Sequence, residues 1–160
     1  NVPGEILTKG PNVLLGYYKN EEDTGQTIDK DGWFHTGDLG LMDEDGNVFI
    51  KGRSKNMLLG SNGQNIYPEE IEDKLNSLPL VSECLVIQSG EKLIALVHPD
   101  YDEAQNLGLN ADDLKNIMEE NRTQLNTIVP AYCKVAEIRI QEDEFEKTPK
   151  KSIKRFLYTE

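Results

Sequence analysis

The sequence predicts an α+β fold, with a small β unit leading into a compact α+β unit, and three observations carry this. Short apolar runs broken by Gly and Pro fill the first third of the chain. Two β-rich runs, ECLVI and LIALV, lie between two stretches whose apolar residues recur at helical spacing. The texture also changes after Gly52, so residues 1–52 are expected to be a separate β piece and residues 53–160 a domain with its own core.

Taken in order, GEILTKG and NVLLGYY within Val2 to Tyr18 read as strands of a small sheet or barrel. Asn20 to Asp31 is polar, with a short helix through NEEDTGQTI. WFHTGDLGLM and NVFIKG read as two strands joined by DEDG, where Asp45-Gly46 supplies the turn. KNMLLG and QNIYP flank the Gly60 to Gly63 turn as a two-stranded ribbon. Pro68 then opens a helix over PEEIEDKLNSL, with acids in its first turn and Ile71, Leu75 and Leu78 as its apolar face.

VSECLVIQ and KLIALVHP are expected to pair as an antiparallel hairpin around Ser89-Gly90-Glu91. Asn110 caps a second helix, ADDLKNIMEENRTQL, which turns Leu114, Ile117, Met118 and Leu125 inward. KVAEIRI adds one more alternating strand, and the tail from Gln141 is polar, mixed and interrupted by proline. Strands under two helices make the second unit.

Composition limits the function. Of the 160 residues, 29 are acidic and 17 basic, and a net charge of -12 argues against general nucleic-acid binding through phosphate neutralisation. No apolar run approaches the roughly 20 residues of a membrane span, so membrane association is expected to be peripheral at most. The chain opens on Asn1 in strand and turn material, which reads as a piece of a longer, soluble, cytoplasmic protein. Cys84 and Cys133 sit in apolar surroundings without a second Cys or His at metal spacing, and are expected to be reduced core thiols. His35 and His98 form no cluster with them, so no metal site built from this chain's side chains is expected.

The most pointed polar group is Thr36, Asp38, Arg53 and Lys55, within GWFHTGDLGLMDEDGNVFIKGRSKNMLLGSNGQNIYPEE. Gly37 and Gly40 bracket Asp38 and let the backbone turn there, presenting a carboxylate to a ligand. An Asx-turn aspartate and a solvated hairpin-end arginine would give the same pattern. Lys147, Lys150, Lys151, Lys154 and Arg155 crowd the tail, either to meet an anion or as a solvated end.

The segment from YYKNEEDTGQTIDKDGWFHTGDLG through SNGQNIYPEEIE resembles the ribose-binding, hinge and following-loop region of the AMP-forming acyl-CoA synthetases. That adenylate-forming superfamily also includes firefly luciferase and peptide-synthetase adenylation domains. GEILTKGPNVLLGYY and EKTPKKSIKRFLY extend the resemblance to both ends, and SNGQNIYPEEIE and IKRFLY are most similar to long-chain fatty-acid CoA ligases.

The resemblance implies that Asp38 accepts hydrogen bonds from the ribose hydroxyls of ATP or AMP, with Arg53 also on the nucleotide and Thr36 beside them. A carboxylate suits two vicinal hydroxyls, and a guanidinium offers a fork of donors. Lys55 falls at the hinge (residues 53–55) about which the following domain (56–160) rotates between two reactions. Gly63 falls in the loop whose backbone lines the CoA pantetheine tunnel. Where many relatives place the lysine that binds the carboxylate and α-phosphate, this chain has Ser152, which leaves Lys151 and Lys154 as candidates.

ATP and CoA are thus expected as co-substrates, with Mg2+ accompanying ATP on ligands outside this chain. The expected partners are a fatty acid and the upstream N-terminal domain of the same protein, which would hold the phosphate loop, the magnesium-coordinating glutamate and the acyl pocket. The intact enzyme would make acyl-AMP and pass the acyl group to CoA, while the chain alone would be inactive. The alternatives are an adenylating enzyme that loads a carrier protein, and a non-catalytic regulatory or interaction module.

Overall fold

A computed structural model describes residues 2–159, and the chain divides into two compact units, one ending at Met57 and one beginning at Leu58. The division falls a few residues past the change of texture at Gly52.

In the first unit, β1 (Gly4–Thr8), β2 (Phe34–Met42) and β3 (Val48–Arg53) form an antiparallel sheet in that order. Helix α1 (Glu21–Thr27) is capped by Asn20, whose side chain accepts from Asp23 N. NVLLGYY is not a strand. It runs as irregular chain in which Leu15 is fully exposed, because its Gly16 and paired tyrosines supply no alternation that one sheet face would bury. Asp43, more than Asp45, closes the β2–β3 connection, its Oδ1 accepting from Asp45 N at 3.0 Å and Asn47 N at 2.8 Å. Val48, Phe49 and Ile50 of β3 are all exposed, so this sheet has little core of its own among the described residues.

The second unit is built on β6 (Val81–Ser89), β7 (Lys92–Pro99) and β8 (Val135–Ile140), preceded by a short ribbon of β4 (Leu58–Leu59) and β5 (Asn65–Ile66). β6 and β7 pair antiparallel as expected, whereas β8 joins β7 in parallel. A parallel neighbour needs a crossover. It is supplied by α3 (Tyr101–Asn106) and α4 (Ala111–Ile128), the first of which the sequence reading missed because six residues are too few to show a helical period.

One face of this sheet packs Cys84, Val86, Leu93, Ala95, Val97 and Val135 against Ile71 and Leu75 of α2 (Pro68–Asn76) and Met118 and Leu125 of α4. The other face, with Leu85, Ile87 and Ile94, is covered by Phe145 and, less deeply, by Ile153 and Tyr158. The tail is therefore a structural layer and not a frayed end. Burial on both faces is why ECLVI and LIALV read as continuous apolar runs instead of alternating ones. Phe145 is 3% exposed, and Tyr158 stacks edge-on against it at 5.1 Å.

Candidate nucleotide and lysine sites

Asp38 and Arg53 stand directly opposite each other on β2 and β3, and Arg53 Nη1 donates to Asp38 Oδ1 at 3.0 Å. The turn expected at Gly37 is instead an irregularity within β2, where the register with β1 shifts between Glu5 and Leu7, and β1 holds it. Gly37 takes φ +72°, its N–H donates to Glu5 Oε1 at 3.0 Å, and the Thr36 hydroxyl donates to Ile6 O at 2.8 Å while accepting from Asp38 N at 3.0 Å. Thr36 thus fixes the backbone beside Asp38. Gly40 permits close approach, since a Cβ there would meet Ile6 Cδ1 at 2.9 Å and Phe49 O at 3.0 Å.

Three groups that the sequence reading did not single out complete this corner. His35 Nδ1 lies 2.9 Å from Glu5 Oε2, and His35 Nε2 lies 3.7 Å from Asp29 Oδ2. The hydrogen bond to Glu5 raises the His35 pKa, with the charges of Glu5 and Asp29 adding to it, and the same bond lowers that of Glu5. Glu5 and His35 are 30 residues apart, so only the strand pairing reveals the set.

Lys55 sits exposed in a 3-10 turn, Ser54–Asn56, that closes the first unit. In the second unit Gly63 takes φ +72° in an exposed turn closed by Gly60 N donating to Gln64 O at 2.8 Å. Open space surrounds it, so its glycine is set by conformation and not by crowding. The turn borders a cavity of about 510 Å3 that Lys92, Lys134 and Tyr132 also line.

The tail lysines have different surroundings. Lys147 Nζ reaches Glu83 of β6 at 2.7 Å, and Lys154 Nζ reaches Glu146 within the tail at 3.2 Å. Lys151 is exposed at the tip of a tight turn, where Thr148 N donates to Ser152 O at 2.8 Å and Lys151 N to Thr148 O at 2.8 Å. It takes φ +61°, unusual for a residue with a side chain. Ser152 is exposed beside it, and Arg155 points inward to Glu72. The structure therefore brings Thr36, Asp38 and Arg53 together in one unit and gathers Lys151, Ser152 and Lys154 on one turn of the other. Among the described residues, no group of three or more His, Cys, Asp or Glu stands close enough to hold a metal ion.

Residues 55–160 match the model of the family described as AMP-binding enzyme C-terminal domain. The chain belongs to this family. Over 159 residues, 96% of its length, it is 37% identical to probable acyl-activating enzyme 9 of Arabidopsis thaliana, covering 27% of that protein. Over 92 residues, 58% of its length, it is 48% identical to the 2-succinylbenzoate–CoA ligase of Bacillus cytotoxicus, covering 19% of it.

Two solved structures have the same architecture. O-succinylbenzoate coenzyme A synthetase from Bacillus subtilis, in complex with AMP, superposes with a TM-score of 0.71 at 26% identity, over 98% of this chain and 30% of that one. An anthranilate CoA ligase in complex with anthranoyl-AMP gives 0.80 at 26% identity, over 98% of this chain and 28% of that one. The α+β fold is that of the C-terminal domain of adenylate-forming enzymes. Against these four proteins the chain spans between 19% and 30% of their length.

Proposed function

We propose that the protein carrying this chain is an AMP-forming acyl-CoA synthetase that activates a carboxylic acid with ATP and transfers the acyl group to CoA in the cytoplasm. The observation that carries this is the Asp38–Arg53 pair, held at 3.0 Å beside the Gly37 irregularity of β2, in a chain of the AMP-binding family. In the proposed complex Asp38 accepts from the ribose hydroxyls and Arg53 donates to the nucleotide. Lys55 is the pivot. Gly63 borders the path of the CoA thiol, and Lys92 and Lys134, with the Tyr132 ring, suit the phosphates and base of the rest of CoA.

Lys151 is the proposed cation for the adenylating step in place of Ser152. Among the described residues its ammonium at the turn tip has no ion-pair partner, whereas Lys154 is occupied by Glu146. Its left-handed backbone is the kind of local strain that functional positions retain. Mg2+ would accompany ATP on residues supplied from outside this chain. A long-chain fatty acid is the proposed substrate on the wording SNGQNIYPEEIE and IKRFLY, while the relatives' names include 2-succinylbenzoate and other acids.

The test is acid-dependent ATP/pyrophosphate exchange by the intact protein, across fatty acids of several lengths and 2-succinylbenzoate. Exchange with any of them supports adenylation, and the acceptor is then read by supplying CoA or a phosphopantetheinyl carrier protein. Ser152 favours one other reading, a non-catalytic interaction module, and absence of exchange with every acid would put that reading first. Residues 1–160 alone are expected to bind ATP weakly, and micromolar affinity by calorimetry would contradict this.

A further inference from the structure

The turn that carries Lys151 has little to hold it in place from within. Its own ties are backbone bonds between Thr148 and Ser152, the isolated bridge of Lys147 with Ile153, and the partly exposed Lys154–Glu146 pair. Upstream, Lys147 Nζ pairs with Glu83 Oε1 of β6 at 2.7 Å, and the more deeply buried anchor lies just downstream. Arg155 Nη2 donates to Glu72 Oε2 of α2 at 2.7 Å, and Arg155 Nη1 donates to Val86 O of β6 at 3.1 Å. Glu72 Oε1 in turn accepts from Val86 N at 2.6 Å, so one ion pair ties the tail, α2 and β6 together.

The pair is well shielded, with Glu72 9% exposed and the Arg155 side chain 20%. In such surroundings a planar guanidinium serves two acceptors in fixed directions, which a lysine ammonium does not reproduce. Both terminal nitrogens of Arg155 are engaged, which leaves it poorly placed to meet a substrate. Lys151 lies four residues upstream, and four residues of chain span at most about 14 Å. The anchor therefore limits where the Lys151 ammonium can go.

We infer that Arg155 and Glu72 are positioning residues that fix the Lys151 turn for the adenylating step. This rests on the proposed function. The Gly63 loop, proposed for the thioester step, lies outside the clamp, so the two half-reactions separate positioning from general stability.

The experiment uses Arg155→Lys and Glu72→Gln in the intact protein. Pyrophosphate exchange and thioester formation from supplied acyl-adenylate are measured separately, and amide hydrogen exchange is followed at Thr148, Lys151 and Lys154. In Arg155→Lys, exchange at saturating ATP should fall about 100-fold, with thioester formation within about 2-fold of wild type. The three tail amides should lose protection while those of Ala95 and Val97 keep theirs. Glu72→Gln removes the charge and replaces one of the two oxygens that accept from Val86 N and Arg155 Nη2 with an amide donor, and it should show the same pattern. Equal loss of both half-reactions, or unchanged adenylation, or unchanged tail amides, would each overturn the inference. A wild-type protein silent in exchange with every acid would overturn the proposed function, and the inference with it.

Discussion

Asp38 and Arg53 face each other across β2 and β3 at 3.0 Å, yet the Arg53 side chain is 57% exposed and that of Asp38 33%. An exposed pair of this kind contributes about 1 kcal/mol or less to stability. Asp38→Ala should therefore leave thermal unfolding nearly unchanged while raising the KM for ATP of the intact protein by roughly 10- to 100-fold, the worth of hydrogen bonds to a charged group. Steady-state kinetics beside a melting curve checks both halves.

The Glu5–His35–Asp29 set has a pH window. The pKa of His35 lies above its ordinary 6.5, so its contribution is full below 6.5 and is lost as pH rises through the raised value. Glu5 lies below its ordinary 4.5, so its contribution is present above 4.5 and is lost as pH falls through the lowered value. Pairing that steadies Gly37 is thus strongest between these limits. NMR titration should place the His35 midpoint above 6.5, and Glu5→Gln should bring it down.

Lys151→Gly separates stability from activity. Glycine relieves the left-handed strain at φ +61°, and urea unfolding should show stability kept or raised by about 1 kcal/mol. The same substitution removes the proposed cation, and adenylation should fall roughly 100- to 1,000-fold. Lower stability with full activity would contradict both parts.

Gly63→Ala places a side chain where φ is +72° without creating a clash. The loop should shift, slowing thioester formation and leaving pyrophosphate exchange unchanged. Measuring both half-reactions on this variant gives the mirror image of the pattern expected for Arg155→Lys.

Burial keeps both thiols protonated, pushing Cys133 up to about 11 and Cys84 higher still. Neither should react with iodoacetamide at pH 8 in the folded protein, and both should react in denaturant. Thiol counting by mass spectrometry checks this.

Much of the fold was legible because its signals are local. Pro68 and Asn110 mark helix starts, and Asn110 forms a full capping box with Asp113. The ECLVI and LIALV runs mark strands. The parallel pairing of β8, the buried Asn121 that donates to Pro79 O at 2.8 Å, and the inward turn of Arg155 were not legible, since each depends on partners far away in sequence. The site divides in the same way. Asp38 and Arg53 stand out through flanking glycines, whereas no local signal marks Glu5 and Asp29, which only the folded chain brings beside His35.

The tail layer also bears on how the chain folds during synthesis. β6 and β7 leave the ribosome well before Phe145, Arg155 and Tyr158, so for that interval Leu85, Ile87 and Ile94 have a helical layer forming on one side and nothing on the other. A product truncated before these last anchors would carry an uncovered apolar sheet face. Such a face is a substrate for chaperones and a nucleus for aggregation.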